Sequence, residues 1–202
     1  MIRTSPAPAP VVRPRRHAPA ARLAGVTLIE LMVTLAVAGI VVALGAPSFM
    51  RTLARHAIAA QAEELQDAVR LGRNEAMKRS GPVVLCRTDA ANPGHCTGSG
   101  GNWQTWVLFT DLARSGAFAA GDAIVRQHVE ASGRMSVTSN AASIRFESTG
   151  IAHSDTGEPV VFVFAPAGAA AGSSGSNLAL RRQVCVNPRG EVAVIAGGAT
   201  CP

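Results

Sequence analysis

The amino-acid sequence predicts an α+β protein, a long N-terminal α-helix joined to a β-rich head, and three observations carry that prediction. A nearly continuous apolar run fills residues 26–46. Helix-forming residues at three- and four-residue spacing continue from there to Arg79, where Ser80-Gly81-Pro82 supplies a stop. Beyond Pro82 the pattern changes to short β-type runs separated by Gly, Ser, Asn and Asp clusters.

Residues 1–25 are rich in Pro, Ala and Arg and show no apolar periodicity, which predicts an unstructured basic leader. That leader also governs the charge. The whole chain carries a formal net charge of +6 and a pI near 10.4, a balance that points to nucleic acid or an anionic membrane surface. Of the 19 Lys and Arg, five (Arg3, Arg13, Arg15, Arg16 and Arg22) precede Val26 with no acid among them, so 14 remain against 13 Asp and Glu. Once the leader is removed the protein is nearly neutral, and the compositional case for a polyanionic partner goes with it.

The run VTLIELMVTLAVAGIVVALGA has only Thr27, Glu30 and Thr34 as polar members, and its 21 residues span roughly 32 Å as a helix, about the hydrocarbon thickness of a bilayer. The arginines before it and the less charged segment after it predict a cytoplasmic N-terminus. A secretory signal peptide cut at Leu44-Gly45-Ala46 is the competing reading. The run is long for such a segment, however, and an acid near its start is foreign to one. A carboxylate in hydrocarbon is costly, so Glu30 calls for a partner or a function.

From residue 48 the helix becomes amphipathic, with Leu53, Ala57, Ala60, Leu65, Ala68, Gly72 and Ala76 at mixed three- and four-residue spacings. One helix over 26–79 would be roughly 80 Å long, with Pro47 as the expected kink. The expected organisation is a removable leader (1–25), a transmembrane or filament-core half (26–47), an amphipathic half (48–80) and a head (81–202).

The head holds eight candidate strands, at 83–87, 105–110, 123–129, 134–137, 143–147, 160–164, 180–187 and 191–195. They suggest a small antiparallel sheet or two packed sheets. Residues 165–177 are Ala, Gly and Ser rich and read as a hairpin loop. The four cysteines fall in two sequence-local pairs, and short loops favour Cys86 with Cys96 and Cys185 with Cys201, which suits an oxidising compartment. Four free thiols, or a metal held by Cys86, His95 and Cys96, are the alternatives. The latter spacing is not that of a zinc site, and Asn92-Pro93-Gly94 reads as a turn.

Catalytic chemistry is sparse. The five histidines are scattered without metal spacing, Gly172-Ser173-Ser174-Gly175 lies in a low-complexity stretch rather than a nucleophile elbow, and Asp111 and Asp122 bracket too few oxygen ligands for a calcium loop. Trp103, Trp106 and Phe109 read as core residues rather than a carbohydrate platform. No cofactor or metal is expected.

Gly25-Val26-Thr27-Leu28-Ile29-Glu30, preceded by arginines and followed by an apolar run, resembles the processing site of type IV prepilins and pseudopilins. A small residue precedes the cut, threonine takes the second mature position and glutamate the fifth. Val26 is one departure, since the family usually has phenylalanine there. The resemblance implies that prepilin peptidase, a membrane aspartyl protease, cuts between Gly25 and Val26 and methylates the new amine. It further implies that the Glu30 carboxylate neutralises the N-terminal amine of a neighbouring subunit during assembly, each charge offsetting the burial cost of the other.

Within that superfamily the residues Arg73-Asn74-Glu75-Ala76-Met77-Lys78-Arg79, the strand at Val83 to Cys86, Trp106 to Asp111, Ser143-Ile144-Arg145-Phe146 and Thr149-Gly150 resemble the GspH/FimT group of minor pseudopilins and minor pilins. The group's head is a β-sandwich packed on the long helix. The implied function is a minor subunit of a type II secretion system or type IV pilus, held in the inner membrane with its head in the periplasm. Its implied partners are prepilin peptidase and other pilins. Some FimT-like members bind DNA through a C-terminal Gly-Arg-x-Arg motif. Here the corresponding place is Gly190-Glu191-Val192-Ala193, where an acid and an alanine replace the two arginines, although Arg181, Arg182 and Arg189 are nearby. A DNA-capturing pilin is therefore the alternative function, and a membrane-anchored periplasmic enzyme a third.

Overall fold

The computed structural model describes residues 25–89, 91–98, 102–129, 133–168 and 175–202. The chain divides into two compact units, Met1–Gly45 and Ala46–Pro202. In the first, Gly25, Val26 and Thr27 lead into helix α1 (Leu28–Arg79), and every described side chain is exposed. Pro47, the expected kink position, lies within α1.

In the second unit α1 buries one face, made by Ile58, Ala62, Leu65, Ala68, Val69, Gly72 and Ala76, the three- and four-residue spacing of a core-facing stripe. Burial begins at Ile58 rather than at residue 48, so nearly three turns of the amphipathic half stay exposed apart from Ala54. The face is built from small residues, which lets the helix lie close to the strands. A methyl group on Gly72 would stand 2.9 Å from Leu108 and 3.0 Å from Phe146. The helix ends in a Schellman arrangement, with Gly81 N–H donating to Ala76 O at 3.2 Å, Ser80 N–H to Met77 O at 3.4 Å and Ser80 in the left-handed region (φ 52°).

Among the described residues ten strands follow: β1 (Val83–Asp89), β2 (Asn92–Cys96), β3 (Thr105–Thr110), β4 (Ile124–Val129), β5 (Met135–Ser139), β6 (Ser143–Phe146), β7 (Ala152–Ser154), β8 (Val160–Pro166), β9 (Arg182–Val186) and β10 (Val192–Ala196). They form two antiparallel sheets, ordered β4-β3-β1-β6-β7 with β2 on β1, and β10-β9-β8-β5. In the first sheet Leu85 pairs with Leu108 and with Ile144. Their side chains share one core with α1 and with Val137, Phe162, Phe164, Val184 and Val186 of the second sheet. Trp103, between the sheets, packs edge-on against Phe162 at 4.7 Å and donates its indole N–H to Ala141 O at 2.9 Å. Trp103, Trp106 and Phe109 are all buried.

Four local expectations change. Asn92, Pro93 and Gly94 lie in β2 rather than in a turn: Asp89 pairs with Asn92, Thr88 with Cys96, and Thr97 N–H donates to Arg87 O at 2.9 Å. Proline and glycine are tolerated because β2 pairs with β1 alone. Three-residue β7, too short for a periodic signal, is made by the turn in which Gly150 (φ 83°) donates to Glu147 O at 2.8 Å. The strand expected from residue 180 begins at Arg182, because Gly175–Leu180 is a 3-10 turn. The loop expected over 165–177 loses its first two residues to β8, and residues 169–174 of it lie outside the described residues.

All six residues of β3 are buried, although a sheet with one wet face would alternate. Its far side is covered by the loop over 111–122, where Phe118 meets Phe109 edge-on at 5.4 Å. The two acids that bracket this loop fold it. Asp111, fully buried, accepts from Ser115 N–H at 2.9 Å and Gly116 N–H at 2.8 Å, and Asp122 accepts from Leu112 and Ala119 N–H, both at 2.9 Å.

Candidate functional site

The first turn of α1 is set by a Thr-x-x-Glu sequence, the pattern of a capping box. Thr27 Oγ1 accepts the N–H of Glu30 at 3.3 Å, and Thr27 O accepts the N–H of Leu31 at 3.1 Å. Thr27 is thus the N-cap, a role that the Thr-x-x-Glu spacing contains within an otherwise apolar run. Glu30 stands in the first turn, exposed, and takes part in no ion pair among the described residues. Its position favours the positive end of the helix dipole. Farther along, Thr34 Oγ1 donates to Leu31 O at 2.9 Å, so this hydroxyl is satisfied within the helix.

Around that carboxylate the surface is apolar on every side. Leu28 is 78% exposed and Leu44 77%, and none of the described side chains between them is buried. This helix is long and apolar enough to cross a membrane. An all-round apolar helix is stable when lipid or other protein covers it. Gly25 and Val26 precede the helix without regular structure, which leaves their peptide bond out of the helical hydrogen-bond ladder.

The head places its cysteines and arginines differently. Cys86 and Cys96 are bonded with Cα atoms 5.5 Å apart, joining β1 to β2, and Cys185 and Cys201 with Cα atoms 5.8 Å apart, holding the C-terminal segment to β9. Arg181 is buried. Arg182 donates to Arg181 O at 3.0 Å. Arg189, in the turn at the opposite end of the β9–β10 hairpin, is exposed and paired with Glu191 at 3.6 Å. The three arginines are not gathered into one basic surface.

The turn that carries Gly190 is instead a structural clasp. Asn187 Nδ2 donates to Glu191 Oε2 at 2.7 Å, and Glu191 N–H to Asn187 Oδ1 at 3.0 Å. The Asn187 hydrogen bond first, then the charge of Arg189, holds the Glu191 carboxyl below its ordinary range. Gly190 (φ 73°) packs so closely that a Cβ would lie within bonding-clash distance of Gly150 O, and Arg73 Nε donates to that same carbonyl at 3.1 Å. Three separate stretches of sequence, at Arg73, Gly150 and Gly190, converge here. On the other side of the helix Glu64 Oε1 meets His128 Nδ1 at 3.1 Å and Arg126 Nη2 at 3.4 Å, with Trp106 stacked on His128 at 5.5 Å. Among the described residues no group of three or more His, Cys, Asp and Glu could hold a metal. A groove of about 620 Å³ beside Cys201 is lined by Pro159, Val186, Val192 and the Arg189–Glu191 pair, and it presents no nucleophile with a neighbouring base.

Comparison with known proteins gives two family matches. Residues 61–197 match the family described as type II transport protein GspH, and residues 21–46 match the prokaryotic N-terminal methylation motif. No curated protein sequence matches significantly. Among solved structures, the type IV minor pilin FimU of Pseudomonas aeruginosa is similar in fold, with a TM-score of 0.50 and 14% identity over 72% of this chain and 92% of that one. The minor pseudopilin EpsH of the Type 2 Secretion System of Vibrio cholerae is matched at a TM-score of 0.46 and 14% identity, over 70% of this chain and 98% of that one.

Proposed function

Because the chain belongs to the GspH family and carries the N-terminal methylation motif, we propose that it is a minor pseudopilin or minor pilin of a type II secretion system or type IV pilus, built into a filament by α1 after prepilin peptidase has removed the leader. The observation that carries this reading is the junction of the Gly25-Val26-Thr27-Leu28-Ile29-Glu30 sequence with a fully exposed apolar helix. Both are required by a subunit that waits in a membrane and then leaves it for a filament.

Cleavage between Gly25 and Val26 creates an amine at residue 26. A cation there faces the positive end of the helix dipole and gains from a carboxylate one turn away. Glu30 of a neighbouring subunit is that carboxylate in the assembled state, and pairing removes two charges that apolar surroundings penalise. The subunit sits in the inner membrane with its N-terminus cytoplasmic and its head periplasmic, where the two disulfides are chemically stable. It acts as a structural element rather than an enzyme. Arg181, Arg182 and Arg189 are not gathered on one surface, so they lend a DNA-capturing role no support.

N-terminal sequencing of the mature protein tests this reading, with methylated Val26 the expected first residue. A start near Pro47 would establish a secretory signal peptide and remove the proposal.

A further inference from the structure

The apolar run ends at Ala46, and burial against the head starts at Ile58, leaving an exposed length of helix that the proposed function does not use. Phe49 and Met50 are each 64% exposed and Leu53 49%. Arg51, Arg55 and His56 are exposed beside them. No acid occurs between Glu30 and Glu63, so the two arginines are the fixed charges of that whole interval. On an α-helix Phe49, Met50 and Leu53 share one sector, while Arg51 and Arg55, four residues apart, share the opposite one.

We propose that residues 48–56 are an interfacial anchor that binds the anionic phospholipid headgroups of the leaflet next to the head, with Arg51 and Arg55 on the phosphates and Phe49, Met50 and Leu53 inserted beside them. This inference rests on the reading of 26–46 as a membrane span, and continuity with that span is its first support. Arg51 lies five residues past Ala46, roughly 8 Å along a helix, which is about the depth of one headgroup layer. Arg55 is one turn farther out and reaches back along its aliphatic stem. A helix crossing the interface meets headgroups on all sides, so both sectors find suitable surroundings. Charge complementarity is the second support. Lipid phosphates supply anions around the helix, whereas a second copy packed in register presents the same two cations and no acid across 31–62.

The test reconstitutes the full chain in bilayer discs of phosphatidylcholine alone or enriched in phosphatidylglycerol, with a spin label at Thr52→Cys or, separately, Val37→Cys. Accessibility to oxygen relative to a water-soluble nickel complex reports the depth of each label. The Thr52 label is expected to sit deeper in phosphatidylglycerol discs at low salt, and to return to its phosphatidylcholine depth in Arg51→Gln/Arg55→Gln, with about a fivefold loss of interfacial population per arginine. High salt should have the same effect, since screening shortens the reach of the charges. Equal depth in both lipids, or an unchanged double variant, overturns the proposal. A depth in phosphatidylcholine that follows protein-to-lipid ratio instead of lipid charge also overturns it, in favour of a second copy. If the Val37 label is water-accessible in every disc, the membrane span itself fails, and the anchor with it.

Discussion

Glu75, Glu191 and Gly190 show how individual residues secure the end of α1 and the turn between β9 and β10. The Glu75 carboxyl is held below its ordinary 4.5, chiefly by the hydrogen bond from Arg79 at 2.6 Å and also by Lys78 at 3.7 Å, while burial pushes the other way. Glu191 is lowered in the same direction through Asn187. A carboxyl whose folded value lies below its unfolded one stabilises the fold above the unfolded value and ceases to do so as the pH falls through the folded one. Urea melts of the wild type and of Glu75→Gln should therefore differ at pH 7 and converge as the pH falls below about 4.5. At Gly190 the backbone demands both a left-handed conformation and close approach to Gly150. Gly190→Ala should lower stability by about 2 kcal/mol or more, read as an earlier thermal midpoint, because the strained φ and the clash add. Arg73 and Gly150 appear in the sequence as a helix end and a turn. That they meet Gly190 was not legible, since the three are separated by long stretches of chain and no periodicity links them.

Elements carry the next level of information. The packed stripe of α1 is legible because helices repeat at 3.6 residues, and Leu65, Ala68, Gly72 and Ala76 fall on it. The reason for glycine at 72 becomes clear only against Leu108 and Phe146. Gly72→Val should cost about 1–3 kcal/mol by overpacking while leaving the secondary structure content unchanged in circular dichroism. Strand β3 gave a readable apolar run but hid its setting. It is buried on both faces because the loop over 111–122 covers the far one, and two aspartates that bracket that loop bind backbone amides. Strands β2 and β7 were unreadable for opposite reasons. The first contains residues that ordinarily break strands, and the second is too short to show alternation.

At the scale of the whole molecule, the residue proposed for assembly and the packed core lie in different units of the chain. The core joins residues from Ile58 onward, whereas Glu30 belongs to the unit Met1–Gly45. Glu30→Ala and Glu30→Gln should consequently yield processed, inserted protein with a normally protease-resistant head that fails to cross-link to neighbouring subunits in the envelope. Wild-type cross-linking by both variants would count decisively against the role given to the carboxylate, because one variant removes the side chain and the other only its charge.

The sequence alone determined the long helix, its apolar start and packed later stripe, the N-terminal methylation motif and the β character of the head. These depend on local pattern: contiguous apolar residues, the periods of 3.6 and 2, and a short motif whose parts are neighbours in the chain. The tertiary structure decided how the described strands divide between two sheets, which arginines are buried or set apart, where helix burial begins and why Gly72 and Gly190 must be glycine. Those outcomes depend on contacts between residues far apart in the chain, where shape complementarity and hydrogen-bond satisfaction select among pairings that the local pattern leaves equivalent.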